Sequence, residues 1–439
     1  MVINVAKYLG KIVEVKGIGK VFNGEVKGTV IPNENPDLLV LKLSSGYNIA
    51  IKCENIDNVN VLGEAKEIVK KAKTDKLEHI AGLPKVAIIS LGGTIASRVD
   101  YKTGGVYPQF TSEDLITSIP EIMQLANIDC ISLMNKWSEN VAKDDWVVLA
   151  KKIESLGKDK YDGFIVTIGT DTLHYCSSAL SFLLEEINVP VIFVGAQRSS
   201  DRPSSDSAYN LLGALTFIKD SKKAGCFVAM HHTSDDKVIA IHLGTKVRKL
   251  HTSRRDAFHS INVSPVALVH LDLGNHKINK NEIVYSDNYN TLKNKSDKKI
   301  KIASKLSNEV ALLKFYPSLD VETLDYILKK NKIVIFEGSG FGHLSDDLIE
   351  VIKKNKKTIC FMTSQCIYGR VNLNVYSQGR IEQQLGIVGL EDMLSETAYT
   401  KALYVAGKTQ KREEIIELMK QNLKGEISER TYYQDENLD

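Results

Sequence analysis

Between Lys11 and Leu62 apolar residues come in short alternating runs broken by glycine, asparagine and proline: KIVEVKG, GEVKGTVIPNENPD and LLVLKLSSGYNIAIKCENI. A period of two marks half-buried strands. Leu39, Leu41 and Leu43 share one side, Ser44-Ser45-Gly46 supplies a turn, and Tyr47, Ile49 and Ile51 return on a matching side. Residues 1–75 are therefore expected to form a small β-barrel or curled sheet with a charged linker, GEAKEIVKKAKTDK. At Pro84 the pattern changes to PKVAIISLGG, a continuous apolar run of the kind buried on both faces of a parallel sheet. GFIVTIG then precedes LHYCSSALSFLLEE, and VPVIFVGA precedes SSDSAYNLLGALTFIKD, so strands alternate with helices as in a doubly wound α/β domain over 84–274. Lysine and asparagine dominate 275–307, which reads as a connecting segment. EVALLKFYP, NKIVIFEGSG and KKTICFMTSQ resume the alternation in a smaller α/β domain over 308–425, followed by an acidic tail at 426–439.

At 439 residues the chain has room for about three domains of roughly 150 residues. Its 57 basic and 54 acidic side chains leave a formal charge of only +3, which excludes a whole-molecule polycation but leaves a local basic face open. With 43% hydrophobic and 25% charged residues the composition is that of an ordinary globular protein. Six cysteines include no C-x-x-C pair, and the neighbours His231 and His232 on one strand end point to opposite faces. No metal is expected, and a reduced, cytoplasmic setting is. No apolar segment approaches the roughly 18 residues of a membrane span, and MVINVAKYLGKIVEVKG lacks a signal peptide's apolar stretch.

In open α/β sheets ligands collect outside the carboxyl ends of the strands. Two threonines stand there: Thr94, after Gly92-Gly93, and Thr170, followed by Asp171. Each is also a natural helix N-cap. A threonine hydroxyl attacks a carbonyl only with help from a base or a suitably placed amine. Lys246 could supply one if Asp171 lay beside it; Arg248, Lys249, Arg254 and Arg255 read by default as a solvated basic face. Gly338-x-Gly340-x-Gly342 lacks a full nucleotide-binding spacing and reads as a turn, and Cys176 as a buried helical cysteine.

LGGTIAS, SENVAKDDW, GTDTLHY and GTKVRKLHTSRRDAF, spread through the region from about Pro84 to Gly407, resemble motifs of the bacterial-type L-asparaginase family. The resemblance implies a two-domain asparaginase-like α/β body with a mostly parallel sheet, and amide hydrolysis. It makes Thr94 the acyl-accepting nucleophile and Thr170, Asp171 and Lys246 the cluster that activates a hydroxyl or water. Ser138 and Glu139 would hold the substrate's α-carboxylate and α-amino groups. A tyrosine from a mobile flap is also implied, either Tyr107 or its competitor Tyr101.

The N-terminal module, with GAQRSSDRPSSDSAYNL, EGSGFGHL and SQCIYGRVNLNVYSQGR, extends the likeness to one branch of that family, the D subunits of archaeal-type glutamyl-tRNA(Gln) amidotransferases. That resemblance implies a homodimer core within a heterotetramer. The chain would hydrolyse glutamine, and a partner, the amidotransferase E subunit, would hold tRNA(Gln), consume ATP and Mg, and use the ammonia. It implies no cofactor bound by this chain. A free-standing asparaginase or glutaminase and a non-catalytic RNA-binding scaffold are the alternatives.

Overall fold

The architecture was read from a computed structural model, in which residues 4–16, 25–33, 35–43, 48–64, 80–92, 97–99, 106–108, 119–157, 161–198, 205–235, 237–274 and 277–430 are described. Five antiparallel strands, β1 (Lys11–Lys16), β2 (Val26–Ile31), β3 (Leu38–Lys42), β4 (Asn48–Lys52) and β5 (Asn58–Glu64), open the fold in the order β4-β3-β2-β1-β5. Leu39 meets Ile51 and Leu41 meets Ile49 across the ladder. With Val13, Val15, Val30 and Ile56 they form a core of their own. The turn Ser44-Ser45-Gly46, Tyr47 and the linker from Ala65 to His79 lie outside the described residues.

β6 (Lys85–Ser90) begins the body, and β7 (Ser97–Val99) and β8 (Val106–Pro108) form a short antiparallel ladder after it. Then come β9 (Asn127–Ser132), β10 (Gly163–Thr167), the short β11 (Leu184–Glu186), β12 (Pro190–Val194), β13 (Gly225–His231) and β14 (Val238–Leu243). β15 (Val247–Lys249) and β16 (Phe258–Ser260) pair with each other, and β17 (Ala267–Gly274) and β18 (Lys277–Tyr285) follow. The main sheet runs β18-β17-β14-β13-β12-β10-β6-β9. Its members from β9 to β13 are parallel, and β14, β17 and β18 complete it antiparallel. Alternation divides its side chains: Phe164 and Val166 of β10 join helices Lys143–Leu156 and Leu173–Leu183, whereas Ile165 joins helix Ser207–Asp220 on the opposite face. This double cover explains the unbroken apolar runs.

β18 falls within the stretch that its polarity assigned to a connection. It is an edge strand. Ile278 and Ile283 turn toward the core, Tyr285 packs beside the core ring of Phe217, and the other positions are polar or face water. β19 (Lys301–Ile302) pairs back with β11.

The smaller sheet, β20 (Val310–Lys314), β21 (Ile333–Gly338), β22 (Ile359–Ser364) and β23 (Val388–Gly389), is parallel and ordered as in the sequence. One face packs Val334, Phe336 and Met362 against helices Val321–Lys330 and Asp346–Lys354. The other puts Ile335 and Phe361 into the same apolar cluster as helix Ser395–Lys408 and the main-sheet helix Leu173–Leu183. Ser178 and Thr400 hydrogen-bond within that contact at 2.8 Å. The glycine-rich segment after β21 is a turn: Gly340 and Gly342 take positive φ, and a Cβ on Gly342 would meet Met362 Cγ at 2.6 Å. The stretch assigned to an acidic tail starts with an anchor, because Glu426 is fully buried against Lys401; residues 431–439 lie outside the description. Among the described residues no helix is long and apolar enough to cross a membrane.

Glu382, on helix Ser377–Gln384, is fully buried; its Oε1 accepts the Leu344 N–H at 2.9 Å and its Oε2 lies 3.7 Å from His343 Nδ1. Burial pushes this carboxyl up to about 7 from 4.5, and burial also lowers the His343 imidazole. The folded state therefore binds the Glu382 proton more tightly than the unfolded chain, so its contribution to stability is lost as pH rises from about 4.5 through about 7. Glu382→Gln is expected to unfold at a higher temperature than the parent at pH 8 and at nearly the same temperature at pH 4.5, read by thermal melts at both pH values.

Candidate functional site

The carboxyl ends of β6, β9 and β10 bring the candidate residues together. Leu91 N–H donates to Thr167 O at 2.9 Å and Lys136 N–H to Leu91 O at 2.9 Å, tying the ends of the strands into one rim. Gly92 follows at φ 120°, and a Cβ there would lie 2.3 Å from Lys136 O; only glycine permits this approach. Across the rim a Cβ on Gly169 would sit 3.2 Å from Ser138 Oγ, and Thr172 Oγ1 donates to Ser138 O. Ser138 is buried beside the Thr170 turn, and its hydroxyl reaches Glu139 Oε2 at 3.5 Å. Thr94 and Tyr101 lie outside the described residues. Tyr107 belongs to β8, opposite Arg98, with its side chain outside the description.

Lys249, and not Lys246, meets the second threonine. Its Nζ donates to Thr170 Oγ1 and to Asp171 Oδ1, both at 2.8 Å. Lys246 is fully buried elsewhere, with its Nζ 2.6 Å from Asp392 Oδ2 and 3.2 Å from Asp392 O. The placement expected of Lys246 is thus corrected by strand geometry. In β15 the apolar Val247 faces the core and a period of two puts Lys249 on its side, whereas Lys246 sits in the bend before the strand. That signal was present in VRK, but Lys249 reads as a solvated cation unless the short strand is recognised.

The neighbouring basic residues are not a free face either. Arg248 Nε pairs with Glu396 Oε1 at 3.0 Å, Arg254 with Asp256, and Arg255 donates to Ser234 O. His174 stands 3.8 Å from the same Glu396 oxygen. Burial, reinforced by Arg248 and Lys249, pushes this imidazole down to about 3, so it is neutral at pH 7, while burial raises the Glu396 carboxyl.

A residue without a role in the sequence reading also faces the threonine. Gln197 Oε1 lies 3.5 Å from Thr170 Oγ1. Its backbone N–H and that of Arg198 donate to the two oxygens of Asp206, which is wholly buried and also accepts from Asn210 Nδ2. Asn210 Oδ1 in turn lies 2.6 Å from His231 Nδ1, which gives that histidine a structural role. Under the threonine, Gly195 leaves no room: a Cβ there would be 2.7 Å from Thr170 Cγ2. Gly195→Ala is expected to displace Thr170, at a stability cost of about 1–3 kcal/mol for overpacking, read by denaturant unfolding.

A hydroxyl, an ammonium and a carboxylate in contact at a strand end, beside a buried serine and an acidic side chain, can orient an amino-acid amide and move a proton near its carbonyl. Among the described residues no group of three or more histidine, cysteine, aspartate or glutamate side chains could hold a metal ion.

Comparison with known proteins identifies the family. Residues 85–283 match the family described as Asparaginase, N-terminal, residues 309–419 the Glutaminase/Asparaginase C-terminal domain, and residues 10–62 the GatD N-terminal domain. The first match runs into β18 as far as residue 283, which groups most of that strand with the main domain. The glutamyl-tRNA(Gln) amidotransferase D subunit of Pyrococcus abyssi is 44% identical over 90% of this chain and 89% of its own. That of Pyrococcus furiosus is 42% identical over 97% and 95%, and that of Methanopyrus kandleri 39% over 92% and 88%. The thermostable L-asparaginase from Thermococcus kodakarensis superposes with a TM-score of 0.69 at 29% identity, covering 79% of this chain and all of its own. L-asparaginase I from Vibrio cholerae gives 0.66 at 25%, covering 79% and 99%. An asparaginase-like body behind a matching N-terminal module, with relatives aligned over nearly the full length, shows that the chain belongs to the family of glutamyl-tRNA(Gln) amidotransferase D subunits.

Proposed function

We propose that the chain hydrolyses glutamine to glutamate and ammonia, and that a partner, the amidotransferase E subunit, uses the ammonia to convert Glu-tRNA(Gln) to Gln-tRNA(Gln) with ATP and Mg. The observation that carries the reading is the contact of Lys249 with both Thr170 and Asp171, beside buried Ser138. In this reading Ser138 receives the α-carboxylate of glutamine, and Glu139 with Asp171 binds its α-ammonium group. The Thr94 hydroxyl attacks the side-chain amide carbon, its proton passes to the departing nitrogen, and ammonia leaves an acyl ester. Water held at Thr170 then attacks that ester; its proton returns to the Thr94 oxygen and glutamate is released. Lys249 fixes the Thr170 hydroxyl and balances charge that grows on oxygen. The flap tyrosine that the resemblance implies, Tyr107 or its competitor Tyr101, is assigned to substrate binding. The chain works as a homodimer core in a heterotetramer and carries no cofactor of its own.

The test is ammonia release from glutamine and from asparagine, with and without the E subunit and tRNA. Glutamine hydrolysis stimulated by the partner and tRNA is expected. Rapid, partner-independent asparagine hydrolysis would replace this reading with a free-standing asparaginase. One methylene separates the two amides, which simple pocket burial distinguishes by only about 1–3 kcal/mol, so both substrates must be measured.

A further inference from the structure

Because β20, β21 and β22 are parallel and the helices between them run back, the carboxyl ends of helices Val321–Lys330 and Asp346–Lys354 land at the amino edge of the smaller sheet. A cleft of about 770 Å³ opens there, lined by seven lysines against one glutamate, in a chain whose total charge is +3. Lysines in the last turns of the two helices suit the negative end of the helix dipole. That explanation does not reach Lys332, Lys356 and Lys357, which lie beyond both helices.

Two of the seven lysines are matched locally, Lys329 by Asp325 at 2.5 Å and Lys353 by Glu350 at 3.5 Å. Lys332 Nζ is held by Gln410, through Oε1 at 2.6 Å and the backbone oxygen at 2.8 Å, uncharged acceptors that leave its charge uncompensated. Lys356 and Lys357 are exposed, and their loop is fixed from behind: the Arg412 guanidinium donates to both their carbonyl oxygens at 3.3 Å, and Thr358 Oγ1 donates to Leu328 O at 2.6 Å. The cations are therefore presented from a held backbone. At the margin, Tyr326 is 63% exposed with Lys330 Nζ 5.6 Å from its ring centre. A tyrosine face beside a row of lysines suits a base stacked next to a phosphate backbone; an acidic peptide would use the lysines and leave the ring idle.

We propose that this cleft is an RNA-binding surface, with the lysines on the phosphates and Tyr326 under an unpaired base. It lies at the amino edge of its sheet, shares no lining residue with the side chains that meet Thr170, and stands independently of the glutaminase reading. The test is fluorescence anisotropy of the full chain with a labelled tRNA(Gln) transcript, titrated between 50 and 200 mM salt, with poly-L-glutamate as competitor. About five phosphate contacts predict a slope of log affinity against log salt of about −3.5 on an unpaired segment. The variant Lys332→Glu/Lys356→Glu/Lys357→Glu should bind at least tenfold more weakly with a flatter slope, Tyr326→Ala about fivefold more weakly with the slope retained, and both should keep the parent rate of glutamine hydrolysis. Parent-like RNA affinity in the triple variant would overturn the proposal. So would displacement of RNA by equal-charge polyglutamate together with no effect of Tyr326→Ala, which would mark the cleft as a site for an acidic protein.

Discussion

Lys249→Ala should lower kcat/KM for glutamine by about three orders of magnitude, within the range expected when a positioned proton-transfer or charge-stabilising group is lost. The reason is geometric: this ammonium alone touches both Thr170 Oγ1 and Asp171 Oδ1 among the described residues. Its removal frees the hydroxyl to rotate and leaves growing negative charge unbalanced. Lys246 provides the control. Lys246→Met leaves Asp392 buried, with the Ser428 N–H still donating to Oδ1 but no cation beside it, and should destabilise the fold by about 3–5 kcal/mol. Lys246→Met/Asp392→Leu removes both charges, so stability should return and glutamine hydrolysis should stay within about threefold of the parent. A double variant that is stable yet inactive would put Lys246 back in the chemistry. Steady-state ammonia release and denaturant unfolding on the same preparations separate the two outcomes.

An equally large loss of stability is expected at the pair Lys401–Glu426, whose side chains are both wholly buried and 2.6 Å apart. Lys401 Nζ also donates to Met419 O at 2.9 Å and to Gln421 O, and Glu426 accepts the backbone N–H groups of Leu423 and Lys424. One ion pair thereby clamps the end of the chain onto helix Ser395–Lys408, which carries Glu396 toward Arg248. Glu426→Ala strands a lysine whose pKa burial already lowers, and should cost about 3–5 kcal/mol in urea unfolding. Lys401→Met/Glu426→Leu should recover most of that, since matched apolar replacement of a buried pair is often neutral. A loss below about 1 kcal/mol for Glu426→Ala would show that water reaches the pair.

What could be read from the sequence was whatever periodicity and turn chemistry carry. The runs at β6, β10 and β12 are apolar throughout because helices cover both faces, and the pairing of Leu39 with Ile51 follows from alternation around a turn. β18 escaped because an edge strand needs few apolar residues, and Ile278 and Ile283 are two among lysines and asparagines. The resemblance assigned Ser138 and Thr170 to one substrate, and the structure brings them together. The motifs pointed to Lys246 and missed Lys249, three residues on in the same basic run, because that choice depends on which side of a three-residue strand meets Thr170. Gln197 was equally hidden: its position depends on Asp206, nine residues away, folding back onto its backbone N–H. The buried partners Asp392 and Glu426 lie far along the chain from their lysines, and composition places charged residues outside by default.

The most direct measurement follows the amide nitrogen itself. Glutamine labelled with ¹⁵N in the side-chain amide would be given to the chain with the E subunit, Glu-tRNA(Gln), ATP and Mg, and the Gln-tRNA(Gln) product examined by mass spectrometry. The parent protein should deliver the label to the product, and Lys249→Ala should not, while that variant with added ammonium salt should restore unlabelled product. Equal transfer of label by the parent and by Lys249→Ala would contradict the account.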